Sequence, residues 1–212
     1  ILMADQAEAP PASPLGELLD YETLLAEEPE SFRWPALDER QAAAMCYTSG
    51  TTGMPKGVVY SHRSEFLHTL ATQLAGTTGI RETDTVLAIV PMFHANAWGL
   101  PYATGMAGAK FLLPGRLMGD PASITKLARD EGATALAGVP TIWLNLVRYL
   151  EETGERIPGI RTVLCGGAAL PESLMDRMDR VGLPVLHAWG MTETSPIGTC
   201  ASPRSWHTEE TE

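Results

Sequence analysis

From position 41 onward, short apolar runs alternate with helical spacings. Runs at 42–47, 85–90, 109–113, 134–139, 161–165 and 184–188 have the length of strands. Between them, apolar residues recur at the steps of a helix, which predicts helices over about 61–75, 94–106, 121–131, 140–152 and 171–181. Leu170, Leu174, Met178 and Val181 form one stripe, and Pro171 suits a first helical turn. Phe66, Leu67, Leu70 and Leu74 are expected to form another stripe behind Ser61, a helix-capping residue type. Runs that are apolar throughout belong in a sheet covered on both faces. Six strands alternating with five helices give the expected fold class: α/β, an open and mainly parallel sheet with helices on both faces. In such sheets the loops beyond the carboxyl ends of the strands carry the chemistry.

Before position 41 the pattern changes. Pro10, Pro11 and Pro14 sit among small and acidic residues, as in a surface linker, and a short helix is expected at 20–28, ended by Pro29. The chain therefore divides into an acidic flanking segment at 1–40, an α/β core at 41–200 and a tail at 201–212.

Charge follows the same division. The 212 residues carry 15 basic and 26 acidic side chains, a formal charge of −11. Ten of the acids and two of the bases fall in 1–40, whereas 41–200 has a net charge of only −1. This balance argues against a nucleic-acid binder, which neutralises phosphates with basic groups. Three scattered cysteines without a Cys-x-x-Cys argue against a disulfide framework or a structural zinc site. Cys46 and Cys165 read as buried thiols in a reducing, cytoplasmic setting. The uncharged run 85–109 is long enough for a membrane helix, but Pro91, His94, Asn96 and Pro101 make it a buried strand, a turn and a helix instead. No membrane span is expected.

The most distinctive segment follows the first strand: Tyr47, Thr48, Ser49, Gly50, Thr51, Thr52, Gly53, Met54, Pro55, Lys56, Gly57. Glycines allow close approach to a bulky anion, hydroxyls and amides donate hydrogen bonds, and Lys56, one of only three lysines, adds charge. By composition alone this is a phosphate cradle or a flexible Gly/Thr surface loop. It is not a Walker A loop, because Pro55 precedes the lysine and Gly57 follows it. Two further segments stand in order behind it. Gly166, Gly167, Ala168, Ala169, Leu170 and Pro171 form a glycine turn before a helix. Trp189, Gly190, Met191, Thr192, Glu193 and Thr194 make an aromatic-Gly-x-Thr-Glu string.

Together the three segments resemble the signature motifs of adenylate-forming (AMP-binding) enzymes over roughly 41–200. The run from Pro91 to Trp98 and that from Gly138 to Trp143 look most like medium- and long-chain fatty acyl-CoA synthetases. The resemblance implies part of the large domain of a ligase that activates a carboxylate as acyl-AMP with ATP and Mg²⁺, then transfers the acyl group to coenzyme A. It also implies roles. Thr48, Ser49, Gly50, Thr51, Thr52, Gly53 and Lys56 would cradle the phosphates. Gly166, Gly167, His187, Ala188, Trp189 and Gly190 would flank adenine. Thr192 would meet the α-phosphate, and Thr48 with Glu193 would hold the metal. Thr192, Glu193 and Lys56 are the catalytic candidates, while His94, Ala95 and Trp98 would line the acyl pocket.

Taken singly, each of these has a plainer reading. Glu193 is then a solvated loop acid, Trp189, Trp98 and His94 are packed core residues, and Gly166 and Gly167 make an ordinary turn. Helical spacing would put His94 and Trp98 on one face. The family's ribose-binding Asp, hinge Arg and catalytic Lys of a mobile domain have no counterpart up to Glu212. The chain is therefore expected to be a central piece of a larger ligase and inactive alone. The alternative is a non-catalytic nucleotide- or acyl-binding module of the same fold.

Overall fold

The structure, a computed structural model, describes residues 14, 16, 18–49, 53–74 and 76–201. The chain divides into two compact units, 1–37 and 38–212. The described part of the first carries one short helix, α1 (Tyr21–Ala26), capped by the Asp20 carboxylate, which accepts from the Thr23 amide at 2.8 Å.

The second unit carries the sheet. Strands β1 (Ala42–Thr48) and β2 (Lys56–Ser61) form an antiparallel pair, and helix α2 (His62–Thr72) follows directly. Next come β3 (Thr85–Ile89), the short α3 (Ala95–Trp98), α4 (Leu100–Ala107), β4 (Lys110–Leu112) and α5 (Pro121–Asp130). The rest is β5 (Ala135–Gly138), α6 (Pro140–Thr153), β6 (Thr162–Cys165), α7 (Glu172–Arg180), β7 (Val185–Gly190) and β8 (Ile197–Ala201). The main sheet has the order β4-β3-β5-β6-β7-β8, parallel except for β8, which runs antiparallel to β7 at the edge.

The expected α/β class therefore stands, but the membership of the sheet differs from the sequence reading. The run at 42–47 is outside the main sheet and pairs with β2 instead. β8 takes the sixth place. The hairpin was hidden because β2 begins within the glycine segment, with Thr48 opposite Lys56.

Alternation along the parallel strands builds two cores. Leu87, Ile89, Leu136, Val163 and Cys165 point to one face, where Ile124, Trp143, Leu146, Leu150, Leu174 and Met178 from α5, α6 and α7 cover them. Val86, Ala88, Ala135, Ala137, Leu164 and Leu186 point to the other, under Trp98, Leu100 and Ala103. Both faces are buried, which is why these strands read as continuous apolar runs. The predicted stripe on α7 is buried.

Helix α2 is inverted relative to the sequence reading. Ser61 caps it as expected, its hydroxyl accepting from the Ser64 amide at 3.1 Å. Yet Phe66, Leu67, Leu70 and Leu74 are exposed, and Glu65, His68, Thr69 and Thr72 are buried. The helix packs through its polar face, against α4 among others. At the amino ends of three strands, Asp84 binds Arg161 through Nη2 at 2.7 Å and the Thr134 hydroxyl at 2.7 Å. This pins β3, β5 and β6 at the end opposite their functional loops.

Candidate functional site

A cavity of about 470 Å³ opens at the carboxyl ends of the parallel strands. The segments after β3, β6 and β7 converge there with the facing ends of the β1–β2 hairpin, as the topology of such sheets requires.

The hairpin contributes Thr48, Ser49 and Lys56. Thr48 and Lys56 are register partners, so strand pairing alone fixes the lysine beside the hydroxyl. Gly53 has φ +84°, a left-handed value that favours glycine, but it is not among the described residues lining the cavity. Gly50, Thr51 and Thr52 lie outside the described residues.

Gly166 and Gly167 follow β6 and line the cavity. A Cβ on Gly166 would stand 3.0 Å from the Ala188 carbonyl oxygen and 3.7 Å from the Trp98 ring, while Gly167 has φ +82°. Larger residues would close the gap between the turn and its neighbours. Trp98, buried at 6% exposure, therefore packs across the glycine turn as well as lining the pocket.

β7 delivers Ala188, Trp189 and Gly190, followed by Met191, Thr192 and Glu193. Trp189 is 56% exposed, so it is not a core aromatic. A Cβ on Gly198 of β8 would stand 2.9 Å from its ring, so the indole leans over that glycine. At Gly190 a Cβ would lie 2.0 Å from the Pro196 carbonyl oxygen, leaving room only for glycine. The loop beyond is braced twice: the Tyr60 hydroxyl donates to the Thr192 carbonyl at 2.5 Å, and the Met191 amide donates to the Pro196 carbonyl at 3.0 Å. Burial, with smaller contributions from neighbours including Cys46, Glu65 and Glu193, pushes the Tyr60 phenol up to about 12, so it remains a donor at neutral pH. Glu193 is exposed at the cavity, with no hydrogen bond or ion pair to a described residue.

His94, Ala95 and Trp98 all line the cavity, but not from a single right-handed helix. Ala95, Asn96, Ala97 and Trp98 have φ of 42°, 50°, 51° and 57°, and Gly99 has φ 73°. This is a left-handed turn, which costs roughly 1–2 kcal/mol for each non-glycine residue. Tertiary contacts hold it: Ala97 and Trp98 are buried, and the Cys46 thiol donates to Asn96 Oδ1 at 3.3 Å. α4 begins only after Gly99. The expected helix over 94–106 is thus broken, and the pocket residues converge through a strained turn.

One expected wall residue is not at the site. His187 lies mid-strand, paired with Cys165 and Ala201, and does not line the cavity. Conversely, Met191, Pro196 and Ile197 line it without having been singled out from the sequence. For Pro196 and Ile197 the signal was the run 197–201, short and bounded by a proline, which reads as an edge strand only once β7 is known, whereas Met191 stood unassigned inside the Thr-Glu string.

No group of three His, Cys, Asp or Glu residues suited to a metal occurs among the described residues. A divalent ion beside Glu193 and Thr48 would take most of its oxygens from phosphate and water. Mg²⁺ binds in that manner.

The motif order, the sheet and this cavity define the class. Residues 3–212 match the family model for AMP-binding enzyme, and the chain belongs to that family. It is 44% identical over 193 residues to a medium-chain-fatty-acid–CoA ligase of Ectopseudomonas oleovorans, covering 91% of this chain and 35% of the relative. To a long-chain-fatty-acid–CoA ligase of Thermus thermophilus it is 52% identical over 179 residues, covering 84% and 32%. Among solved structures it is similar to o-succinylbenzoate coenzyme A synthetase from Bacillus subtilis in complex with ATP and magnesium ion. That likeness has a TM-score of 0.76 and 27% identity, covering 91% of this chain and 39% of the other. The chain thus spans about a third of the length of these curated relatives.

Proposed function

We propose that the full-length protein is an ATP-dependent fatty acid–CoA ligase. A carboxylate oxygen attacks the α-phosphorus of ATP, the bond to pyrophosphate breaks, and acyl-AMP forms. The thiol of coenzyme A then attacks the acyl carbonyl carbon, and AMP leaves. The observation that carries this reading is the convergence of three separate motifs on one cavity: Thr48 and Lys56, the Gly166–Gly167 turn, and Thr192 with Glu193.

In this reading Lys56 and the hydroxyls of Thr48 and Ser49 receive phosphate oxygens, and Gly50, Thr51, Thr52 and Gly53 complete the cradle. Preorganised donors stabilise charge as it develops on those oxygens. Adenine lies against Gly166 and Gly167, with Ala188, Trp189 and Gly190 opposite. Thr192 meets the α-phosphate. Glu193 and Thr48 hold Mg²⁺, which neutralises phosphate charge when bound. The acyl chain runs past His94, Ala95 and Trp98, whose apolar surroundings suit an alkyl group. Relatives named for medium- and long-chain fatty acids support that substrate class. The free thiols Cys46, Cys165 and Cys200 support a reducing, cytoplasmic location. The test is pyrophosphate exchange by the full-length protein with a panel of carboxylic acids. Exchange that depends on aliphatic acids supports the reading, and none with any such acid refutes it.

A further inference from the structure

Helix α2 buries an ionisable face that the reaction above does not use, and burying such groups is costly unless they are bonded. His68 is 7% exposed and accepts a hydrogen bond on Nε2 from the Ile197 amide at 3.2 Å, across 129 positions of sequence. Its other edge lies against the left-handed turn. A Cβ on Gly99 would stand 2.7 Å from both Cε1 and Nδ1 of the ring. The imidazole is therefore wedged between the end of the Trp98 turn and the first residue of β8. Both neighbours lead to the cavity wall: Ile197 lines the space itself, and Gly99 adjoins Trp98, which lines it. Because Nε2 accepts, the neutral ring carries its proton on Nδ1, an atom with no partner among the described residues. Burial pulls the imidazole down to about 4, which keeps Nε2 an acceptor at neutral pH.

We propose that His68 is a positioning residue that sets the width of the acyl slot, holding the Trp98 turn and the Ile197 wall at a fixed separation. It touches no phosphate-cradle residue among its described hydrogen bonds, and it acts through the two walls. The proposal rests on the ligase reading above.

The test uses pyrophosphate exchange by the full-length enzyme over aliphatic acids of increasing length, with His68→Leu and His68→Gln. Leucine removes the acceptor and leaves the Ile197 amide unpaired. The KM for the acid should rise about tenfold and the chain-length profile should flatten, with kcat and the KM for ATP changed by less than about threefold. Glutamine, with an oxygen near the place of Nε2, should restore the profile. An unchanged acid KM in His68→Leu, or equal rises in the KM for acid and for ATP, overturns the proposal. So does a glutamine variant that behaves like leucine. Should His68→Leu fail to fold, Gly99→Ala decides, because its Cβ drives into the imidazole. It must loosen acid binding more than ATP binding, and a wild-type acid KM overturns the proposal. A wild-type enzyme without exchange for any aliphatic acid overturns the ligase reading and this assignment together, and is distinguished by needing no variant.

Discussion

Glu193 and Trp98 show what a single side chain does at this cavity. Glu193 presents an exposed carboxylate with no described bonding partner, so Glu193→Gln keeps its size and removes only charge. In the full-length protein, adenylation should fall about a hundredfold to a thousandfold while acid binding changes little, as measured by pyrophosphate exchange and by equilibrium binding of the acid. Retention of wild-type exchange contradicts its metal role. Trp98 has two neighbours, the proposed acyl slot and the Gly166–Gly167 turn, where a Cβ on Gly166 would stand 3.7 Å from the ring. Trp98→Ala should therefore broaden the chain-length profile and also weaken ATP binding, by about threefold to tenfold. A slot of this kind discriminates by roughly 1–3 kcal/mol per methylene. A change confined to the acid contradicts the second contact. The motifs that named these residues were legible because glycines, Thr192 and Glu193 stand at fixed spacings. The left-handed turn that presents Trp98 was not. Nothing in Ala95, Ala97 or Trp98 favours positive φ, and only the surrounding packing imposes it.

At the scale of elements, the sequence pattern located six of the eight strands described above and most helices of the second unit, and it left open, among others, two relations between them. Periodicity shows that a helix has an apolar face, not which neighbour that face meets. On α2 the face with Leu67 and Leu70 is the open one, at 56% and 43% exposure. Leu67→Gln and Leu70→Gln should each change stability in chemical denaturation by less than about 0.5 kcal/mol. Loss of about 2 kcal/mol or more on either substitution contradicts the described packing. The second relation is the β7–β8 pairing, which turns on Gly190. Its substitution by alanine puts a methyl group 2.0 Å from the Pro196 carbonyl oxygen, so the strands must separate. Gly190→Ala should lower Tm sharply, and a near-wild-type melt contradicts that geometry. The hairpin and β8 escaped the sequence reading for different reasons. β2 begins inside the glycine segment, and β8 is an edge strand whose partner, β7, becomes evident only when the parallel strands are in place.

For the molecule as a whole, acid sensitivity follows from two buried groups with different windows. Burial pulls His68 down to about 4, so its stabilising effect is full above its unfolded value of about 6.5 and is lost as pH falls toward 4. Burial alone would raise the Asp84 carboxyl, but hydrogen bonds from Arg161, Thr134 and the Arg81 amide together hold it below its ordinary value. Its contribution is therefore present above about pH 4 and disappears only below that. Acid unfolding should begin on the His68 limb, and His68→Gln should flatten stability between about pH 6.5 and 4 without altering the lower limb. Asp84→Asn should do the reverse, and an identical response from both variants contradicts the assignment. The sheet pinned at Asp84 places its functional loops at the opposite end, where the three motifs meet. The most direct test of that convergence as a ligase site is hydroxylamine trapping of acyl-adenylate formed by the full-length protein, with acids from acetate to palmitate and with amino acids. A ligase site of this kind should give hydroxamate that requires ATP, appears with aliphatic acids and follows a graded chain-length profile. Hydroxamate from amino acids or acetate in preference to longer acids, or none with any fatty acid, would contradict it.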